Sequence, residues 1–288
     1  MTVTAIKTSP TGVIHTKMTR GVVYIAAGSK YVEEARRSAS SLREHHPELP
    51  ITLYSDDHPN DDPPNSEVFD NIIIKDNFGY HTGDSILSDE MFPYDHNLYL
   101  DTDTYVCGEL TDLFEVLNRF DLAVSFGSGR ERIDNLPSTL PEYNTGVIAY
   151  NDSPETHQLF EKWRKFYDNN ESNGFRNQEA FSRSLWETDV DFLVLPQEYN
   201  VRIYPGRGAY LTHPAKIMHG RHSDGLKKCA KIANSTDGPR LYYQTWYVIY
   251  NFKLLKQKNR GNLVSDTFEY YKENGFYDTL KKGYSKLL

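Results

Sequence analysis

Two aspartates stand one residue apart where an apolar run ends, in Leu98-Tyr-Leu-Asp101-Thr-Asp103-Thr-Tyr-Val106. In an extended segment, side chains at i and i+2 point to the same face, so both carboxylates share one side. Like charges that close raise each other's pKa, and a cation between them keeps both ionised. Oxygen ligands favour Mg2+ or Mn2+ over softer metals. A divalent ion held by few protein ligands keeps positions open for a diphosphate. It can then neutralise charge on a departing nucleoside diphosphate. The competing local reading is an Asp-Thr-Asp turn that caps the loop after it.

The surrounding elements would place this pair at the edge of a sheet. Gly21-Val-Val-Tyr-Ile-Ala-Ala27 reads as a buried strand closed by Gly28-Ser29. Tyr31 to His45 reads as an amphipathic helix with Ala35, Ala39 and Leu42 on one face. Ile51–Ser55, Ile72–Ile74 and Leu98–Leu100 read as strands, with a Pro- and Asp-rich loop over residues 58–66. Thr111 is expected to cap a helix through Leu117, and Leu122–Ser125 and Gly146–Tyr150 are further strands. Pro154 to Asp168 and Gln178 to Trp186 read as helices. This alternation predicts an α/β fold around a mostly parallel sheet. Such sheets bind ligands beyond the carboxyl ends of their strands, where Gly28-Ser29, Asp56-Asp57 and Asp101-Thr-Asp103 all fall.

Composition narrows the partners. The chain has 288 residues and a net charge of -8, which argues against nucleic acid as a partner, because duplex binding relies on clustered Lys and Arg. Cys107 and Cys229 are too few for a disulfide framework or a Cys-rich zinc site. No apolar run of signal-peptide or membrane-spanning length occurs, so a reduced, cytoplasmic setting is expected. Sequons at Asn151, Asn170 and Asn234 are read as chance in that setting. Residues 1–20 read as a polar N-terminal segment, 21–239 as one α/β domain, and 240–288 as a helical, aromatic-rich extension. That extension is net basic. It is read either as helices packing back on the domain or as a peripheral contact with an anionic membrane or a lipid-linked acceptor.

The segment Tyr99–Val106, with Leu110-Thr-Asp-Leu-Phe114 behind it, resembles the core of GT-A glycosyltransferases, a Rossmann-like fold. The likeness is to the glycogenin-like and bacterial galactosyltransferase group, glycosyltransferase family 8. Similar segments recur in order: Ala26-Ala-Gly-Ser-Lys-Tyr31, Asn144-Thr-Gly-Val147, Asn177-Gln178, Leu195-Pro-Gln-Glu-Tyr-Asn200 and Ile217-Met-His219-Gly220. The resemblance implies a retaining, metal-dependent transfer of a hexose from a UDP-sugar to a glycan, lipid-linked or protein acceptor. It implies Asp101, Asp103 and His219 as ligands for Mn2+ or Mg2+, against a purely structural role for that histidine. Ala26, Ala27 and Tyr31 would line the base pocket, and Asp56 would bind uracil or ribose unless it caps a turn. Thr102 would lie along the donor, Asn144, Asn177 and Gln178 would face the transferred sugar, and Arg221 would hold the diphosphate; Gln178 and Asp103 would be the catalytic residues, Gln178 by positioning and stabilising and not as a covalent nucleophile.

Several positions depart from that pattern. Gly28 stands where an Asn is usual, Asn177 where an Asp is usual, and no Lys or Arg occurs between Gly79 and Asp95, which hold His81, Asp84 and Asp89 instead. The Gly-x-x-Lys-Pro-Trp continuation after the late histidine is replaced by Arg221-His-Ser-Asp-Gly225, with Lys227 and Lys228 behind it. An inverting reaction would need a carboxylate base, for which Glu179 and Asp224 are the candidates by position. Asp101-Thr-Asp-Thr104 also fits the Asp-x-Asp-x-Thr pattern of haloacid-dehalogenase-type phosphatases, with Asp101 as nucleophile, although three strands precede it here. A nucleotidyltransferase would need a first loop richer in Gly and Arg. A catalytically silent nucleotide-sugar sensor would be expected to have lost the metal ligands or Gln178.

Overall fold

The computed structural model describes residues 18–56, 68–75, 78, 86, 91–127, 136–170, 177–204, 207–222, 225–244 and 249–253. Two compact units divide the chain, residues 1–253 and 254–288, and every described residue belongs to the first. Asp57, His81, Asp84, Asp89, Asp224 and the tail from residue 254, with its expected helices and membrane contact, lie outside the described residues.

A seven-stranded sheet organises this unit. Its strands are β1 (Arg20–Ala26), β2 (Ile51–Ser55), β3 (Asn71–Ile74), β4 (His96–Leu100), β6 (Leu122–Phe126), β7 (Tyr143–Asn151) and β8 (Phe192–Leu195), with β5 (Thr104–Val106) outside it. The order is β3-β2-β1-β4-β7-β6-β8. Neighbours among the first four pair parallel, as do β6 and β8, while β7 runs against both of its neighbours. The mostly parallel sheet expected from the sequence is therefore present. Strands covered on both faces read as continuous apolar runs, and β1 shows the consequence. Val22, Tyr24 and Ala26 pack with Ala35, Ala39 and Leu42 of α1 (Ser29–Arg43). Val23 and Ile25 pack in the opposite layer with Phe160 and Trp163 of α3 (Pro154–Asn170) and Phe181 of α4 (Asn177–Trp186).

Beyond the main sheet, β5 pairs with β11 (Ile217–Gly220), which pairs on its other side with β9 (Val201–Ile203). Their register sets His219 opposite Thr104 on one flank and Arg202 on the other. A third sheet is formed by β10 (Gly208–Leu211), β12 (Arg240–Gln244) and β13 (Ile249–Lys253). Helix α5 (Leu226–Ala233) packs Cys229, Ala230 and Ala233 against Met218, Val201 and Tyr242.

Three local expectations need correction. Arg240–Gln244 and Ile249–Lys253 form strands where helices were expected. Arg240, Tyr242 and Gln244 are buried while Leu241 is exposed, a period-two pattern in a segment read only by its composition. Strand β7 starts at Tyr143, three residues before Gly146, because Asn144 and Thr145 are polar yet buried. Thr111 is the first residue of α2 (Thr111–Glu115) and makes no cap. Leu110 holds that position without a side-chain cap, anchored by burial and by its N–H donating to His46 Nε2 at 2.9 Å. No helix among the described residues is long and apolar enough to cross a membrane.

Candidate metal and donor site

Strand β4 ends at Leu100, and the chain turns at once: Thr104 N–H and Thr104 Oγ1 both donate back to the Asp101 carbonyl, at 3.2 and 2.8 Å. This tight turn puts both carboxylates at the carboxyl edge of the parallel half of the sheet. Strand β11 returns 116 residues after Asp103 and presents His219 to the same spot, a separation counted from the residue numbers. His219 Nε2 lies 3.3 Å from Asp101 Oδ2 and 3.4 Å from Asp103 Oδ1. One donor atom from each of the three side chains fits within 4.8 Å of the others. The surroundings fit a small cation. A Cβ on Gly146 of β7 would stand 1.9 Å from His219 Cε1 and 2.6 Å from Asp101 Oδ2. The backbone beside the ligands thus has room only for hydrogen. Two carboxylates and one imidazole suit Mn2+, and the carboxylates suit Mg2+.

Each ligand is oriented from behind. The Tyr99 hydroxyl donates to Asp101 Oδ1 at 2.7 Å. Asn200 Oδ1 accepts from His219 Nδ1 at 2.9 Å, and Asn200 Nδ2 donates to Asn144 Oδ1 at 2.7 Å. A proton fixed on Nδ1 leaves Nε2 as the coordinating nitrogen. Burial and the Arg202 charge disfavour protonation of His219, yet hydrogen bonds to Asp101 and Asp103 carry its pKa above the usual 6.5. Burial also pushes Asp103 up, but the His219 bond and the charges of His219, Arg221 and Arg202 outweigh it and bring Asp103 down to about 2. A proton and a metal therefore compete for Nε2. Mn2+ affinity, titrated calorimetrically at descending pH, is expected to fall about tenfold per unit below the His219 pKa. An affinity unchanged across that range removes His219 from the ligand set.

Around the trio the predicted donor residues fall into groups. Arg221 places Nη1 3.2 Å from Asp103 Oδ2, and its guanidinium lies 5.9 Å from the centre of the Tyr31 ring. Glu34 of α1 accepts from Arg221 at 3.0 and 2.6 Å and from Thr102 Oγ1 at 3.3 Å. Asp103, Arg221, Glu34 and Thr102 border a cleft of about 510 Å3 with Gly220 and His222. Ala26 and Ala27 are buried at the end of β1. Gly28 follows at φ 88°, a conformation few L residues adopt, and its N–H donates to Asp56 Oδ1 at 3.0 Å. That geometry explains glycine at this position and ties Asp56 to the first loop. A larger cavity, about 880 Å3, opens around Arg20, His46 and His96 at the other end of β1 and holds none of the three ligands. The smaller cleft, at the carboxyl edge, is the one consistent with this fold.

Other predicted residues sit further off. Asn144 is buried, and its carboxamide oxygen also accepts from Gly146 N–H at 3.2 Å. Asn177 Oδ1 accepts from the Trp163 indole at 2.8 Å, joining α4 to α3. Gln178 lies in the first turn of α4, which packs on β7. It makes no hydrogen bond to the trio among the described residues. Sequence reasoning missed Glu34, Asn200 and Arg202 as site residues. Asn200 alone carried a signal, as a polar residue closing the Leu195–Asn200 segment ahead of an apolar strand.

No family model matches the sequence, and no curated protein matches it. Solved structures do. The galactosyltransferase LgtC, crystallised with donor and acceptor sugar analogues, aligns at a TM-score of 0.52 and 15% identity over 75% of this chain and 94% of that one. The glycosyltransferase GlyE of Streptococcus pneumoniae TIGR4 aligns at 0.52 and 20% identity over 77% of this chain. This chain spans 58% of the length of GlyE. Both neighbours are glycosyltransferases, and the chain shares their GT-A fold.

Proposed function

We propose that this chain is a glycosyltransferase that moves a hexose from a nucleoside-diphosphate donor, UDP-linked by resemblance, to a glycan, lipid-linked or protein acceptor. The observation that carries this reading is the convergence of Asp101, Asp103 and His219 at the carboxyl edge of a GT-A sheet. When bound there, Mn2+ or Mg2+ would neutralise charge on the departing diphosphate. Tyr99 and Asn200 hold Asp101 and His219 in place, so little rearrangement accompanies the reaction. Arg221 exchanges Asp103 for a phosphate oxygen while Glu34 keeps its guanidinium aimed. Tyr31, exposed beside Arg221, offers its ring to the base. Asn144 and Gln178 position the sugar.

The reaction retains anomeric configuration. The anomeric carbon–phosphate oxygen bond breaks, the acceptor oxygen bonds to the same face, and its proton passes to the leaving phosphate. Donor identity depends on the sugar-facing groups, among which Asn177 is a departure from the family pattern.

A thermal-shift screen of nucleoside diphosphates with and without Mn2+ tests the proposal. UDP at about a hundredfold over its Kd should add about 2.7 kcal/mol of stability by linkage, a rise of roughly 4 to 5 °C for a chain this size. The rise should vanish with a chelator. Equal stabilisation without metal would count against the metal site, and phosphate release from an aryl phosphate would replace this reading with a phosphatase.

A further inference from the structure

Two arginines reach the ligands from different sides. Arg221 arrives over α1, where Glu34 and Asp103 pair with it. Arg202 arrives from β9, on the far side of β11 from β5, in register with His219. Facing partners in a sheet project to the same side, and Arg202 Nη1 stands 3.3 Å from His219 Nδ1. That nitrogen has one hydrogen-bonding position, and Asn200 Oδ1 occupies it at 2.9 Å. The histidine therefore gives Arg202 no acceptor. Among the described residues no carboxylate forms an ion pair with Arg202, unlike Arg221, Arg36 and Arg43.

A guanidinium largely withdrawn from water is expensive to leave without an anion. Burial weighs against the Arg202 charge, and so does Arg207, while the nearby charges of Asp101 and Asp103, and after them Glu142, favour it. Asp101 and Asp103 are the carboxylates a divalent cation would share, and once shared they balance Arg202 less. The stretch leading into β4 supplies no alternative cation, since no Lys or Arg occurs between Gly79 and Asp95. An anion brought by the substrate completes the arrangement.

We propose that Arg202 is a substrate-binding residue that holds the sugar-proximal phosphate of the donor, across the metal ligands from Arg221. This rests on the glycosyltransferase reading and adds a residue to it. A planar fork that donates two parallel hydrogen bonds to a phosphate suits that position better than a point charge.

Calorimetric titration of the full chain tests the assignment, with UDP in saturating Mn2+, UMP in saturating Mn2+, and Mn2+ alone. For Arg202→Gln, UDP affinity is expected to fall about 10- to 100-fold, while UMP, lacking the second phosphate, binds as in the wild type. Mn2+ alone should bind as tightly or more tightly, because a repelling charge has gone. Arg202→Lys should recover part of the UDP loss. Unchanged UDP affinity in Arg202→Gln overturns the proposal, even if turnover falls, because the contact then lies with the sugar or the acceptor. Parallel loss of Mn2+ and UDP affinity also overturns it, since that outcome marks a structural prop for His219. If the wild type itself fails to bind UDP with Mn2+, the transferase reading falls and takes this inference with it.

Discussion

Asp103→Asn is expected to abolish the metal-dependent stabilisation by nucleotide and to lower kcat/KM for sugar transfer by about a thousandfold. That factor corresponds to the several kcal/mol of charge stabilisation a bound divalent ion supplies at a leaving group. Asparagine keeps the size of the side chain and one oxygen, so the carboxylate charge is what changes. Asp103 carries much of that charge in the site: His219 Nε2 is 3.4 Å from one of its oxygens and Arg221 Nη1 is 3.2 Å from the other. Its pKa of about 2, against an ordinary 3.8, also links it to the stability of the metal-free protein. A carboxylate with a depressed folded pKa stabilises the fold above the unfolded value, and that contribution disappears as pH falls through the folded value. Here it amounts to about 2 kcal/mol, lost between 3.8 and about 2. The variant should therefore melt a few degrees below the wild type near neutral pH and lose this part of the acid limb. Retained metal-dependent binding of UDP by a folded Asp103→Asn protein would remove the carboxylate pair from the mechanism.

The aspartate pair was legible in the sequence because its elements are local. The run Leu98–Leu100, its abrupt end, and the alternation of i and i+2 need only the strand period to be read. The buried stripe of α1 and the doubly covered β1 are legible for the same reason. His219 was reachable through an ordered resemblance, not through spacing. Glu34 and Arg202 were out of reach. Glu34 meets Arg221 across 187 positions, and Arg202 meets His219 only because β9 and β11 pair in one register. No local pattern encodes that register. The strands Arg240–Gln244 and Ile249–Lys253, expected as helices, make the complementary point. Their aromatic and basic composition is equally compatible with a helix, whereas the buried, exposed, buried alternation of Arg240, Leu241 and Tyr242 is not. Period decides there, and composition does not.

Gly146→Ala is expected to disable the site almost as thoroughly as removing a ligand, although it removes no polar atom. The added methyl would fall 1.9 Å from His219 Cε1, 2.7 Å from His219 Nδ1 and 2.6 Å from Asp101 Oδ2. Real contacts of this kind are longer by an ångström or more, so something must yield. The β7 backbone is poorly placed to yield. It is buried on both sides of this position, accepts the Asp101 N–H through the Gly146 carbonyl at 2.9 Å, and donates the Gly146 N–H to Asn144 Oδ1 at 3.2 Å. The imidazole is equally confined, 2% exposed and tethered to Asn200. Strain of this sort destabilises by about 1–3 kcal/mol, which a chain of this size can survive folded. With backbone and imidazole both confined, the clash is relieved at the ligands themselves, as His219 or Asp101 turns away, which leaves two ligands where three are needed. Mn2+ affinity measured by titration should then fall at least about tenfold, and UDP should no longer raise the melting temperature. Gly225→Ala is the control. It sits at positive φ, 81°, but a Cβ there meets nothing within 4 Å, so the metal-dependent shift should survive a modest loss of stability. If Gly146→Ala keeps wild-type Mn2+ affinity, the imidazole is not coordinating. The cation would then have to be held by the two aspartates and the substrate's own phosphates, a weaker grip that the diphosphate itself completes.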